Sequence, residues 1–227
     1  MDLRGKRDMQ SKILIVCAPS GGGKGTIVRM LEQHYGSWLW TSISCTSRQP
    51  RGQEQDGREY YFITQEEFDR LLETGYLAEY NRFGNGKSYG TPADKLDQHL
   101  EQGCLAVLDI DINGARQVIE KYYDKYPIVA VFLLPESLEE LQQRLINRAT
   151  ETPDQIEKRI ATAKEEYAKM LDTEGALFDS VILNASGKQQ ETADQVIDII
   201  EKIDSVRETI YAPKDKGFPW RDDLFRI

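Results

Sequence analysis

The 227 residues predict an α/β fold, a parallel sheet flanked by helices with an inserted α+β subdomain and a helical lid. Three observations point there. Apolar runs of strand length alternate with helical periodicities through most of the chain. One such run, Ile13–Cys17, leads directly into a glycine-rich turn and an amphipathic segment, the order of a phosphate-binding strand, loop and helix. Two stretches, Ser42–Thr91 and Ser137–Asp172, interrupt the alternation and read as insertions into the sheet framework.

Each element has a local reason. The polar start, residues 1–11, is a tail, and the domain proper runs over 12–205. Ile13–Cys17, Leu105–Ile110, Ile128–Leu134 and Ser180–Leu183 are continuous apolar runs, as strands buried on both faces must be. Helical periodicity fills Thr26–His34, Pro92–Gln102, Asn113–Tyr123 and Gln189–Ile203 between and after them. These segments form a core of residues 12–43, 92–136 and 173–205. The insert, 44–91, is rich in Arg, Gly, Tyr and Phe, with short alternating strands such as Glu59–Ile63 and a small helix, Gln65–Leu72. The lid, 137–172, carries charge on nearly every turn of its two helices, Ser137–Asn147 and Pro153–Asp172. Pro153 suits the first turn of the second. Residues 206–227 form an extension whose Phe218, Pro219, Trp220 and Phe225 suit docking on the core or on another subunit.

Hydrophobic residues are 40% and charged residues 30%, a composition that can build a core. A net charge of -9 argues against nucleic acid, which calls for a broad basic face. No apolar stretch reaches the roughly 20 residues of a membrane span, and the polar start is unlike a secretory signal, so a cytoplasmic protein is expected. The partners expected are small molecules and at most further copies of the chain, as monomer or homo-oligomer. Cys17, Cys45 and Cys104 lack metal-type spacing and read as structural thiols. His34 and His99 read as solvated helix residues. The chemistry must then run without histidine, which phosphoryl transfer can do, because it depends on positioning and charge.

Four constellations carry that chemistry. In the first, Ala18, Pro19, Ser20, Gly21, Gly22 and Gly23 let backbone amides approach an anion. Lys24 reaches the terminal phosphates, and with Gly25 in the usual hydroxyl position the metal-side hydroxyl moves to Thr26. This is a sheet of the P-loop NTPase type. In the second, Ser44, Arg48, Arg51 and Tyr60 make a pocket suited to a dianionic phosphate, with Glu54 among them; a solvated loop is the plain alternative. In the same region, the Glu79 carboxylate can accept two hydrogen bonds from the guanine edge, with Tyr89 and Thr91 following; a surface charge is the alternative. The third is Asp109 and Asp111 at the carboxyl end of a buried strand, placed for Mg²⁺ directly or through water, or, for Asp111, as a helix cap. The fourth is Arg144, Arg148 and Arg159 on helices that could close over transferring phosphates, or simply form a salt-bridged surface.

Together, in this order, the constellations resemble guanylate kinase, from about Lys12 to about Ile203. The matching motifs are residues 18–24, Ser44 through Tyr60, Tyr89-Gly90-Thr91, Leu108 through Asp111, and Arg144 through Arg159. The resemblance implies transfer of the γ-phosphoryl group of ATP to GMP with Mg²⁺. It implies that Ser44, Arg48, Arg51, Tyr60 and Tyr89 hold the GMP phosphate, that Glu79 and Thr91 read guanine, and that Asp109 lines the substrate side. Lys24, Arg148 and Arg159 would stabilise the transferring group with Arg51 and Arg144 in support, and Asn184 would lie on the adenine side. The departures are Ser47 for a usual Thr, Ala149 for a Gly, Ala185 for an Asp, and about one extra residue within Asn85–Ser88. A phosphopeptide-binding relative without catalysis, or a kinase of a sugar phosphate, would not need all these residues together.

Overall fold

Lys12–Cys17 forms β1, the middle strand of a five-stranded sheet in a computed structural model that describes residues 10–83, 86–147, 152–170 and 175–207. The first nine residues, Asn85, Arg148, Ala149, Leu171, Asp172 and the extension from Glu208 lie outside the described residues. The sheet runs β2 (Leu39–Thr41), β7 (Leu105–Asp109), β1, β8 (Ile128–Leu134), β9 (Ser180–Leu183), every pair parallel. Because side chains alternate across a strand, β1 feeds two cores. Ile13, Ile15 and Cys17 pack toward α3 (Ala93–Glu101) and α4 (Ile112–Tyr122). Leu14 and Val16 pack toward α1 (Lys24–Tyr35) and α7 (Gln189–Lys202). Coverage of both faces is why β1 and β8 are apolar throughout rather than alternating.

The second sheet, order β4-β3-β6-β5, is built from β3 (Cys45–Thr46), β4 (Tyr61–Phe62), β5 (Leu77–Phe83) and β6 (Lys87–Pro92). Its small helix α2 (Gln65–Glu73) starts at a capping box, in which Thr64 accepts from the Glu67 N–H and Glu67 accepts from the Thr64 N–H. The expected lid segment holds α5 (Leu138–Asn147) and α6 (Pro153–Lys169), the latter with Pro153 in its first turn and a Thr152–Gln155 capping box. Among the described residues no helix is long and apolar enough to cross a membrane.

Two elements differ from the sequence reading. β2 is an edge strand of only three half-buried residues, too short to show a period. The expected strand Glu59–Ile63 shrinks to Tyr61–Phe62, because Glu59 spends its carboxylate on the Gln55 N–H and the chain turns at Gly57. His99 is not merely solvated: it stacks on Trp40, ring centroids 4.1 Å apart.

Candidate active site

Register puts the phosphate loop beside the acids. Val16 lies opposite Asp109 in the parallel β1–β7 pair, so both strands release their chains at the same edge of the sheet. Beyond β1, Gly21 and Gly23 take positive φ (92° and 93°), which other residues rarely adopt. There is no room either: a Cβ on Gly21 would meet Leu141 Cδ1 of α5 at 2.9 Å, and one on Gly23 would meet Asn184 Nδ2 at 2.5 Å. The loop is thus packed against α5 on one side and the residue after β9 on the other. Asn184 Nδ2 donates to the Gly22 carbonyl at 2.8 Å. Arg144 donates to the Asn184 carbonyl and to Glu140, both at 2.6 Å, and so braces the loop from behind.

Lys24 Nζ donates to the Ala18 carbonyl at 3.0 Å and lies 3.5 Å from Asp109. Burial alone would lower its pKa, but Asp109 and other acidic neighbours outweigh that and raise it, so Lys24 remains an ammonium. Arg159 of α6 reaches across to donate to Ser20 Oγ at 2.7 Å. Among the described residues, Thr26 Oγ1 receives only a long hydrogen bond from Arg29, 3.5 Å.

At the other end of the same opening, Arg48 is nearly buried and held on three sides. Its guanidinium donates to both Glu54 oxygens (2.6 and 2.8 Å) and to Tyr89 Oη (3.1 Å), and it lies 4.8 Å from the Tyr60 ring centroid. Hydrogen bonding to Glu54 raises the Arg48 pKa, and Arg48 in turn lowers that of Glu54. Glu54 also accepts from the Arg51 backbone N–H, so its carboxylate is committed to the Arg48 guanidinium and to the chain at Arg51. The Nη1 and Nη2 edge is thus committed to Glu54 and Nε to Tyr89, which fixes the guanidinium and its charge beside Tyr60 and Tyr89.

Between these ends lies Glu79, 4% exposed and opposite Thr91 in the β5–β6 register. Thr91 Oγ1 donates to Glu79 Oε1 at 2.7 Å, and a Cβ on Gly114 would sit 2.6 Å from Oε2. Burial, aided by Asp111 and opposed by Thr91, pushes the Glu79 carboxyl up to about 7. Asp111 caps α4 through the Gly114 N–H (2.9 Å) and accepts from Asn81 at its other oxygen.

One cleft of about 410 Å³ joins the parts. Ala18, Ser20, Lys24, Ser44, Arg51, Tyr60, Glu79, Tyr89, Asp109, Asp111 and Arg159 line it. Thr91 and Arg48 act on it through Glu79 and Tyr89, and Asn184 and Arg144 stand behind the loop. Arg148 lies outside the described residues. Sequence reasoning did not single out six liners: Asn81, Phe83, Lys87, Ile110, Thr162 and Glu166. Asn81 follows Glu79 by two on a strand, and Glu166 follows Arg159 by two helical turns, so periodicity could have marked both. Glu166 Oε2 is buried without a hydrogen-bond donor among the described residues, and burial pushes the carboxyl up to about 7 against the pull of Lys24. A cationic loop, a second arginine pocket and a buried carboxyl group along one cleft suit transfer of a phosphoryl group between two nucleotides.

Known proteins give the same picture. The family profile described as "Guanylate kinase" matches residues 10–203. The chain is similar to the guanylate kinase of Synechococcus sp. (strain CC9902), 41% identical over 76% of this chain and 87% of the relative. It is also similar to that of Streptomyces kasugaensis, 42% identical over 79% and 82%. Among solved structures, guanylate kinase from Anaplasma phagocytophilum superposes with a TM-score of 0.63 at 29% identity, covering 85% of this chain and 86% of that one.

Proposed function

We propose how this cleft works from the premise that the chain belongs to the guanylate kinase family, nucleoside monophosphate kinases that convert ATP and GMP to ADP and GDP. The protein transfers the γ-phosphoryl group of ATP to GMP, a step of purine nucleotide metabolism and GMP recycling. The observation that carries the residue assignment is the single cleft with Lys24 at one end and the Arg48 pocket and Glu79 at the other.

The β- and γ-phosphates of ATP sit on the loop amides of residues 18–25 and on Lys24, with the adenine toward Asn184 and Arg144. The GMP phosphate takes Ser44, Arg48, Arg51, Tyr60 and Tyr89, and Glu54 holds the Arg48 guanidinium and the Arg51 backbone in place. Its oxygen is already ionised near neutral pH, so in-line attack needs no general base. Lys24 and Arg159, joined by Arg148 as the lid segment 137–172 closes, stabilise charge on the transferring group. Arg51 and Arg144 support them. Asp109 keeps Lys24 charged and lines the substrate side.

Mg²⁺ fits this site as an ion that arrives with ATP. Thr26 Oγ1 has acceptor capacity to spare, and each Asp111 oxygen retains a lone pair beyond its one hydrogen bond. When bound, the ion would neutralise charge between the β- and γ-phosphates. A cytoplasmic location and a monomeric or homo-oligomeric state belong to the same proposal.

The Glu79 carboxyl supplies a pH test. Ionised, it accepts from the N1–H and 2-amino edge of guanine; below about 7 it holds its proton and loses that capacity. The kcat/KM for GMP should therefore fall about tenfold between pH 8 and pH 6 through this group. The GMP phosphate titrates near pH 6 and adds its own slope. In Glu79→Gln only that phosphate slope should remain. Superimposable profiles for the two proteins would remove Glu79 from base reading.

A further inference from the structure

Asn81 stands two residues beyond Glu79 on β5, so the two side chains leave the same face of the strand, and both line the cleft. The backbone between them is fixed. Gln117 of α4 accepts from the Tyr80 N–H at 3.1 Å and donates to the Tyr80 carbonyl at 2.8 Å. Asn81 Nδ2 donates to Asp111 Oδ2, while Asp111 Oδ1 is held by the Gly114 N–H. An ionised carboxylate only accepts, so the amide nitrogen and not its oxygen must face Asp111. The carboxamide plane is thereby pinned, and Oδ1 is turned away from Asp111; no donor among the described residues is bonded to it.

Guanine presents three hydrogens along its N1 and 2-amino edge. The Glu79 carboxylate, one oxygen of which already accepts from Thr91, takes one from N1 and one from the 2-amino group. The second 2-amino hydrogen is left over, and burying it unpaired would cost affinity. We propose that Asn81 is a further specificity-determining residue, whose Oδ1 accepts that second 2-amino hydrogen beside Glu79. The assignment rests on the reading of Glu79 as the guanine acceptor. Asp111 then serves as a positioning residue, which fixes the amide by taking its nitrogen.

The test is equilibrium binding of GMP, dGMP and inosine monophosphate, followed by titration calorimetry. Inosine monophosphate keeps N1–H and the 6-oxo group but lacks the 2-amino group; dGMP lacks only the ribose 2′-hydroxyl. For Asn81→Ala, GMP and dGMP should bind about three- to tenfold more weakly, with inosine monophosphate changed less than about twofold. Asn81→Ser, which keeps a small acceptor, should fall between, and thermal melting verifies that both variants are folded. Equal weakening of GMP and inosine monophosphate would overturn the proposal, since the pocket as a whole would then have shifted. Loss for GMP but not dGMP would also overturn it and place the contact on the ribose. Glu79→Gln separates the two layers. If it erases the preference for GMP over AMP while Asn81→Ala leaves the GMP to inosine monophosphate ratio untouched, Asn81 alone is refuted. An unchanged GMP over AMP preference in Glu79→Gln refutes the Glu79 reading, and the Asn81 proposal with it.

Discussion

Lys24→Ala is expected to lower kcat about a thousandfold while GMP affinity stays within about threefold. Lys24 lies at the loop end of the cleft, away from the Arg48 pocket, and its neighbours keep it charged. A preorganised cation aimed at charge that develops in the transition state contributes there far more than to ground-state binding, roughly two to three decades in rate for one such donor. Removing it also leaves Asp109 facing the phosphates without its nearest cation, which adds repulsion in the same direction. Steady-state rates of ADP formation paired with GMP binding by calorimetry measure both numbers. Turnover near the original value would defeat the assignment of Lys24, and a parallel loss of GMP binding would point to a general disturbance of the cleft.

The second large effect is on choice of substrate. Glu79→Gln should shrink the preference for GMP over AMP about a hundredfold, read as the ratio of kcat/KM values. In the native cleft the carboxylate is boxed in by Thr91 at 2.7 Å and by Gly114, where even a Cβ would clash with it. Adenine, which lacks the donor edge, would leave this carboxylate without the hydrogens that guanine supplies. A buried acceptor left unpaired costs about 1–3 kcal/mol, more when charged. Glutamine keeps the shape, offers one acceptor instead of two, and sets an N–H₂ against a guanine donor. Retained selectivity in this variant would remove Glu79 from base reading.

Much of this was legible in the residues. The uninterrupted apolar runs of β1 and β8, the capping pattern from Thr64 to Glu67, and Pro153 in the first turn of α6 each dictate local structure from the sequence alone. β2 escaped because three residues carry no period. The interior of the site was harder, since its geometry comes from contacts distant in sequence. Nothing near Glu54 in the chain says that its carboxylate is spent on Arg48, and nothing near Gly114 says that its missing side chain makes space for Glu79. Nothing near Arg144 in the chain says that its guanidinium also bridges Glu140 and the Asn184 carbonyl, an arrangement set by the packing of α5 on the phosphate loop. Asn81 and Glu166 were visible in principle from strand and helix periods, but only once Glu79 and Arg159 were taken as reference points.

ADP formation from ATP and Mg²⁺, with GMP, dGMP, AMP, CMP and UMP offered separately, tests the central claim most directly. Rapid turnover with GMP and little with AMP, CMP or UMP is the expected result if, as proposed, the Lys24 end of the cleft performs the transfer and the Glu79 end selects the base. No turnover with any nucleotide, in a folded protein that still binds GMP, would contradict it and leave a binding module in place of a kinase.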